Sequence, residues 1–457
     1  MVDERRVRPR NESPVVTAGV VAYWMQRDQR VHDNWALIYA AELAASRQVS
    51  LLVLFNLVPI FGQTTLRHYD FMFRGLAEVE AALRARQIPF YLTRGLPTET
   101  LPQFVAEQRV GEVVTDFNPL RFTDAWRTKV GHGLPVRLTE VDAHNIIPCW
   151  VASDKQEFAA YTFRPKVHRQ LTSFLTDFPA LPSVVKSVAL PPRQDWEQLL
   201  AAVETNRTVQ PVDWLEPGYA AGMARAADFV AGGLYDYAEL RNDPNENALS
   251  HLSPYFHFGQ IAPQRVALMV RDSQALDESK EAYLEELIVR RELTDNFCFY
   301  NPQYDRVEGA HAWAQQTIAE HANDPREYVY TTEQFESAVT HDELWNALQI
   351  QMVTRGKMHG WGRMYWAKKI LEWTPDAQTA VDTALYLNDK YELDGTDPNG
   401  IVGVMWSICG VHDRAWNERP IFGKIRYMNY AGAKRKFDVV AYVERYNGEV
   451  EYTLFNE

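Results

Sequence analysis

Cysteine is nearly absent: Cys149, Cys298 and Cys409 are scattered and show no CxxC spacing. An odd, dispersed set points to neither a disulfide framework nor a zinc or iron–sulfur site, and no metal is expected; buried free thiols are the plain reading. Long apolar runs are also missing, since no stretch approaches the roughly 20 residues of a membrane helix. The opening MVDERRVRPRNESP lacks the apolar core of a signal peptide, so a cytoplasmic protein with no membrane association is expected. There is no basic excess either. Lys plus Arg is 47 against 60 for Asp plus Glu, a net charge of −13, which argues against coating nucleic acid through overall charge. No GxGxxG follows the first β-like run, so a dinucleotide bound there in the usual Rossmann manner is not expected. Internal repeats and low-complexity segments are lacking too.

What is present suits a large enzyme. With 46% hydrophobic residues in 457 positions, the chain can bury substantial cores, and its length fits two or three domains better than one. From Val15 to Asp142, short apolar runs such as VVTAGVVAYW, LLVLFNL and EVVTDF alternate with amphipathic stretches such as DNWALIYAAELAASRQ. That alternation predicts a Rossmann-like α/β domain over 15–145 with a five-stranded parallel sheet. Between 146 and 217, Pro148, Pro165, Pro179, Pro182, Pro191, Pro192, Pro211 and Pro217 interrupt periodicity, which reads as a long interdomain linker. The remainder, 218–457, reads as all-helical. Thr331-x-x-Gln334 and Thr340-x-x-Glu343 have capping-box spacing, Thr374-Pro375 fits an N-cap with Pro at the first helical position, and Gly356 suits a C-cap.

Several clusters in the helical half could carry chemistry. Trp345, Trp366 and Trp373 fall on successive predicted helices, and Trp366, Ile370 and Trp373 share one face. Ordinary core packing accounts for such a stripe; a relay of oxidisable indoles does so equally. Glu286 lies in LEELIVRRELTDNF, four residues before Arg290, a spacing that gives a surface pair of roughly 0.2–0.5 kcal/mol. A catalytic Glu286 requires it to face a cavity. In NALSHLSPYFHFG, Ser250 and Ser253 stand at a helix start, where hydroxyls and free N–H groups suit phosphate as well as plain capping. From Arg414 to Lys436 the chain carries seven basic residues (Arg414, Arg419, Lys424, Arg426, Lys434, Arg435, Lys436) against one acid, Glu418. The sign of that segment opposes the sign of the whole chain.

The phrases WMQRDQRVHDNWAL, EELIVRRELTDNFCFYNP, THDELWNALQIQMVTRGKMHGWGRMYWAKKILEW, LNDKYELDGTDPNG and FGKIRYMNYAGAKRKFD occur in order between Trp24 and Phe437. Together they resemble the photolyase–cryptochrome family, and within it the class II cyclobutane pyrimidine dimer photolyases. The resemblance implies an antenna-type α/β domain and an all-α domain that binds a folded FAD, active as FADH⁻. It matches Tyr237, Arg241, Ser250, Leu252 and Ser253 to the flavin's entry and phosphate turn, and Arg363 with Asp394 to an ion pair beside its ring. Asn388 matches the asparagine facing flavin N5. Trp366, Trp345 and Trp373 match an electron-transfer chain.

For the substrate, Glu286 matches the acid that hydrogen-bonds the dimer, Met364 and Trp406 the pocket walls, and Arg414 with Trp416 the region that props open the duplex. Lys424, Arg426, Lys434, Arg435 and Lys436 would grip phosphates. The implied partner is ultraviolet-damaged DNA; a monomer without an obligate protein partner is expected. A second antenna pigment, of deazaflavin type or none, is left open. Two departures stand out: Val289 occupies the place of a tryptophan used by other photolyase classes, and Trp361 adds bulk next to Arg363. Alternative readings are a cryptochrome-type photoreceptor without repair activity and a noncatalytic nucleic-acid-binding protein. The chain ends 20 residues after Phe437, without the long extension many such photoreceptors carry, which favours repair.

Overall fold

Short runs that are apolar at every position are satisfied only when layers cover both faces of a sheet. In the computed structural model, which describes residues 1–59 and 61–454, these runs form a six-stranded sheet. Its strands are β1 (Val7–Pro9), β2 (Val20–Met25), β3 (Leu51–Leu57), β4 (Phe90–Arg94), β5 (Val110–Asp116) and β6 (Arg137–Val141), in the order β1-β6-β5-β2-β3-β4. The five expected parallel strands are β2 to β6. The sixth, β1, corrects the expected count: it runs antiparallel to β6, pairing Val7 with Val141. Three residues with an arginine and a proline carry no apolar signal, yet a short, Pro-bearing strand suits a sheet edge. Arg8 secures it through Glu140 at 2.5 Å.

Side chains of β2 part to the two faces. Val21, Tyr23 and Met25 pack with the helices Trp35–Arg47 and Leu66–Ala85, while Ala22 and Trp24 join Phe104, Val130 and Leu138. The chain passes from β2 to β3 and β4 on one side and returns to β5 and β6 on the other, so a crevice opens at the carboxyl ends of β2 and β5.

Between 146 and 217, helices span Cys149–Ala152, Ala160–Phe174 and Trp196–Ala202. Ile146, Ile147, Phe163 and Val167 share a core with Phe256 and Ile288 of the helical half. Among the described residues every regular element beyond Val141 is helical; the last three positions of the expected 218–457 domain lie outside the described residues. Thr331 and Gln334 form the capping box, and Gly356 closes a helix at φ 63°. Thr340 and Thr374 do not cap. The carboxylates of Asp342 and Asp376 take the backbone N–H groups of Trp345 and Thr379 instead, being stronger acceptors than a hydroxyl.

The two halves meet at a polar seam. Arg27 pairs with Asp295 at 2.7 Å, and Glu292 accepts from the Ile146 N–H at 2.6 Å. Gly259, at φ +62°, brings the backbones so close that a Cβ there would lie 2.1 Å from the Arg27 carbonyl oxygen.

Candidate active site

A cavity of about 700 Å³ opens in the helical half, walled by the segments Ser253–His257, Glu285–Arg290, Gly360–Glu372, Ala377–Tyr391 and Pro398–Cys409. Tyr237, Arg241, Ser250, Leu252, Ser253, Arg363, Asn388 and Asp394 all border it. Arg363 reaches Asp394 at 2.7 Å and Glu392 at 2.5 Å, and Lys357 lies 3.4 Å from Asp394. The two acids respond differently. Burial alone pushes the Asp394 carboxyl up, but the Arg363 and Lys357 charges outweigh it and hold the group well below the usual carboxylate range. For Glu392, burial and the neighbouring Asp394 charge prevail over Arg363, and its carboxyl titrates above the ordinary value.

Glu286 also borders the cavity, its side chain 46% exposed. Its expected partner Arg290 is taken by Glu285 at 3.2 Å, while Glu286 pairs with Arg241 at 3.0 Å. The reason is local: Glu285–Arg290 is a π-helical turn, whose wider winding brings i and i+5 together and undoes the i,i+4 geometry. Val289 is buried and absent from the cavity wall, whereas Trp361 is part of it.

The three buried indoles form a file that ends at the cavity. Trp366 borders the cavity. Trp345, fully buried, stacks on it at 6.2 Å between ring centroids and 8° between planes, and Trp373 meets Trp345 edge-on at 6.2 Å. Trp345 Nε1 donates to the Trp366 carbonyl and Trp366 Nε1 to Gln349 Oε1, which fixes both rings.

Met364, Trp406 and Arg426 border the cavity's opening. The Arg426 guanidinium lies 5.8 Å from the Trp406 ring and 4.8 Å from that of Trp416, on which Arg414 also rests at 5.2 Å. Cations and indoles thus alternate from the cavity to the exposed Trp416. Lys424, Lys434, Arg435 and Lys436 are exposed on the same segment and do not border the cavity.

A second, smaller cavity of about 140 Å³ lies at the crevice between the halves. Met25 and Gln26 at the end of β2, Leu57 and Val58 at the end of β3, and Asn118 after β5 meet Asp389, Thr396 and Asp397 of the helical half there, with Phe61 and Trp126 as aromatic walls. His257 and Asp397, 3.2 Å apart, border both cavities.

The family model for DNA photolyase matches residues 21–183. A deoxyribodipyrimidine photo-lyase of Potorous tridactylus is 53% identical over 426 residues, covering 92% of this chain and 80% of its own length. The chain belongs to the DNA photolyase family. Membership places it among the photo-lyases, and a second relative, a deoxyribodipyrimidine photo-lyase of Oryza sativa, is 50% identical over 93% of this chain and 87% of its own. A solved class III photolyase of Agrobacterium tumefaciens shares the fold, with a TM-score of 0.73 at 19% identity over 95% of this chain and 87% of that one.

This photolyase chain also brings to its cavity residues to which sequence reasoning gave no role. Lys357 lies 2.5 Å from Ser253 Oγ, adding a cation to the expected phosphate turn. His251, His359 and His412 border the cavity, and His251 Nδ1, His359 Nε2 and His412 Nε2 are buried without a protein partner. Burial pushes His251 and His412 down to about 3 and His359 to about 4, so they stay neutral and present unsatisfied ring nitrogens. Buried polar atoms of this kind fit a large polar ligand. Lys368 is buried behind Trp406, its Nζ donating to the Ser407 carbonyl at 2.8 Å, and burial lowers it to about 7. Its only sequence signal was a charge on the apolar side of a helix. Among the described residues no helix is long and apolar enough to cross a membrane.

Proposed function

We propose that this chain repairs cyclobutane pyrimidine dimers in ultraviolet-damaged DNA, using light and FAD held in the cavity of the helical half. The observation that carries the reading is one cavity whose wall combines the Arg363–Asp394 pair, an indole backed by two more, and a mouth of alternating cations and indoles. Bound in its reduced form, FAD supplies a light-excited electron donor, and the electron that opens the cyclobutane ring returns with no net oxidation. The protein's part is to hold, position and exclude water.

Tyr237, Arg241, Ser250, Leu252 and Ser253, with Lys357, would hold the phosphate-bearing portion, and Arg363 with Asp394 would flank the ring system. A buried pair of this kind costs much to break. Asn388 would meet N5. Trp373, Trp345 and Trp366, in that order, would pass electrons inward to restore the reduced form. The dimer must leave the helix stack to enter the cavity, and a damaged step is cheaper to extrude than a normal one. Met364 and Trp406 would wall the flipped dimer, and Glu286 would hydrogen-bond it. Arg414 and Trp416 would prop open the duplex, while Lys424, Arg426, Lys434, Arg435 and Lys436 grip phosphates without reading sequence. The enzyme would act as a cytoplasmic monomer.

The test is to illuminate the reduced, flavin-loaded protein with dimer-containing DNA and follow dimer loss against a dark control. Loss in the light alone is expected. Equal persistence of dimers in light and dark by a flavin-loaded sample removes the repair reading and leaves the photoreceptor.

A further inference from the structure

The side-chain amide of Asn388 borders the larger cavity, and its two ends differ in kind: an oxygen that accepts and an NH₂ that donates. Its sequence neighbour decides between them. Asn388 Nδ2 donates to Asp389 Oδ1 at 2.9 Å. A carboxylate offers acceptors only, so it selects the nitrogen and leaves Oδ1 as the end available to a ligand. Asp389 is itself anchored, since the Thr396 N–H donates to the same oxygen at 2.7 Å. Gly400 closes the other side: a Cβ there would lie 2.9 Å from Asn388 Nδ2 and 3.4 Å from Oδ1. The amide is therefore packed against the backbone of the helix Pro398–Cys409. Asp389 borders the smaller cavity and not the larger one, so it acts through Asn388.

We propose that Asp389 is a positioning residue that holds the Asn388 amide with its oxygen presented to the flavin, favouring the flavin states whose N5 carries a proton. The inference rests on reading the larger cavity as a flavin site, and it goes beyond that reading by assigning the orientation of Asn388 to a residue outside the cavity. An N5–H can donate to Oδ1, whereas the unprotonated N5 of oxidised flavin meets a second acceptor there.

The experiment is a redox titration of the FAD-loaded full chain, together with its flavin content. Asp389→Asn keeps the size of the side chain but offers donor and acceptor alike, and Asp389→Ser is smaller and equally unable to select the amide nitrogen. Both are expected to shift the first one-electron equilibrium towards oxidised flavin about fivefold, roughly 40 mV at 59 mV per tenfold, with flavin content unchanged. In an Asn388→Ala background, neither should shift it further. An unshifted potential in both single variants, or an equal shift with and without Asn388, overturns the proposal, because merely structural damage is indifferent to the amide. A wild-type chain that takes up no flavin overturns the reading of the cavity, and the proposal with it.

Discussion

In the helical cavity Arg363 stands between Asp394 and Glu392 with Lys357 beside them, whereas in the seam between the halves several carboxyls face backbone N–H groups. Glu292 accepts from Ile146 and Ile147, and Asp142 from Asn145 and Cys149. The consequences are opposite in sign. Burial pushes Glu292 up to about 8 and Asp142 to about 6, since hydrogen bonds to the backbone do not fully replace the lost hydration. Asp394 stays ionised because two cations face it. In the seam the Arg27–Asp295 pair behaves differently, with Asp295 held low despite its burial. Opposite charge outweighs burial at Asp394 and Asp295, whereas Glu392 and Glu292, each beside an arginine, are still pushed up by burial.

That contrast is open to direct attack. Arg363→Ala strips the cation from two buried acids and is expected to cost about 3–5 kcal/mol in denaturant melts; a loss below about 1 kcal/mol would mean that Lys357 alone sustains the site. Glu292→Gln probes the seam. A carboxyl whose folded value is raised contributes stability that is complete below about 4.5 and is lost as pH rises through about 8. The variant should therefore escape a decline on the order of 5 kcal/mol that the wild type undergoes between those limits, and parallel pH profiles would contradict this.

Lys368→Met concerns a buried cation that the Asp413 charge offsets only in part. Its folded value is lowered from 10.5 to about 7, so its contribution is present above 10.5 and lost as pH falls through about 7. At pH near 6, the substitution is expected to stabilise by on the order of 2 kcal/mol, and a lower melting temperature there would refute it. The smallest stability change belongs to Trp366→Phe, about 1 kcal/mol from the lost bond to Gln349. Light-driven reduction of oxidised flavin should fall sharply while repair by pre-reduced protein persists. Equal losses of both would return the indole file to ordinary packing.

Legibility followed the range of the signal. Strands β2 to β6 are apolar runs a few residues long, and each reads locally; β1, with Arg8 and Pro9, has no such run and is recognised only by its partner β6. The capping box at Thr331 was readable because its two members are three residues apart, while Thr340 lost its cap to an aspartate two positions on. Glu286 borders the cavity, but its partner is Arg241 and not Arg290, because a π turn is invisible to helical periodicity. Lys357, His251 and His359 were missed since nothing about their neighbours in the chain marks them as sharing a wall.

By itself the sequence determined the order of strands β2 to β6, the family and a minority of the residues that line the cavity, because residue type and spacing act over a few positions. Only the tertiary structure decided which groups pair and which stay charged. Arg27 meets Asp295 across 268 positions and Glu292 meets Ile146 across 146, and the balance of desolvation against opposite charge exists only once the chain has closed over both.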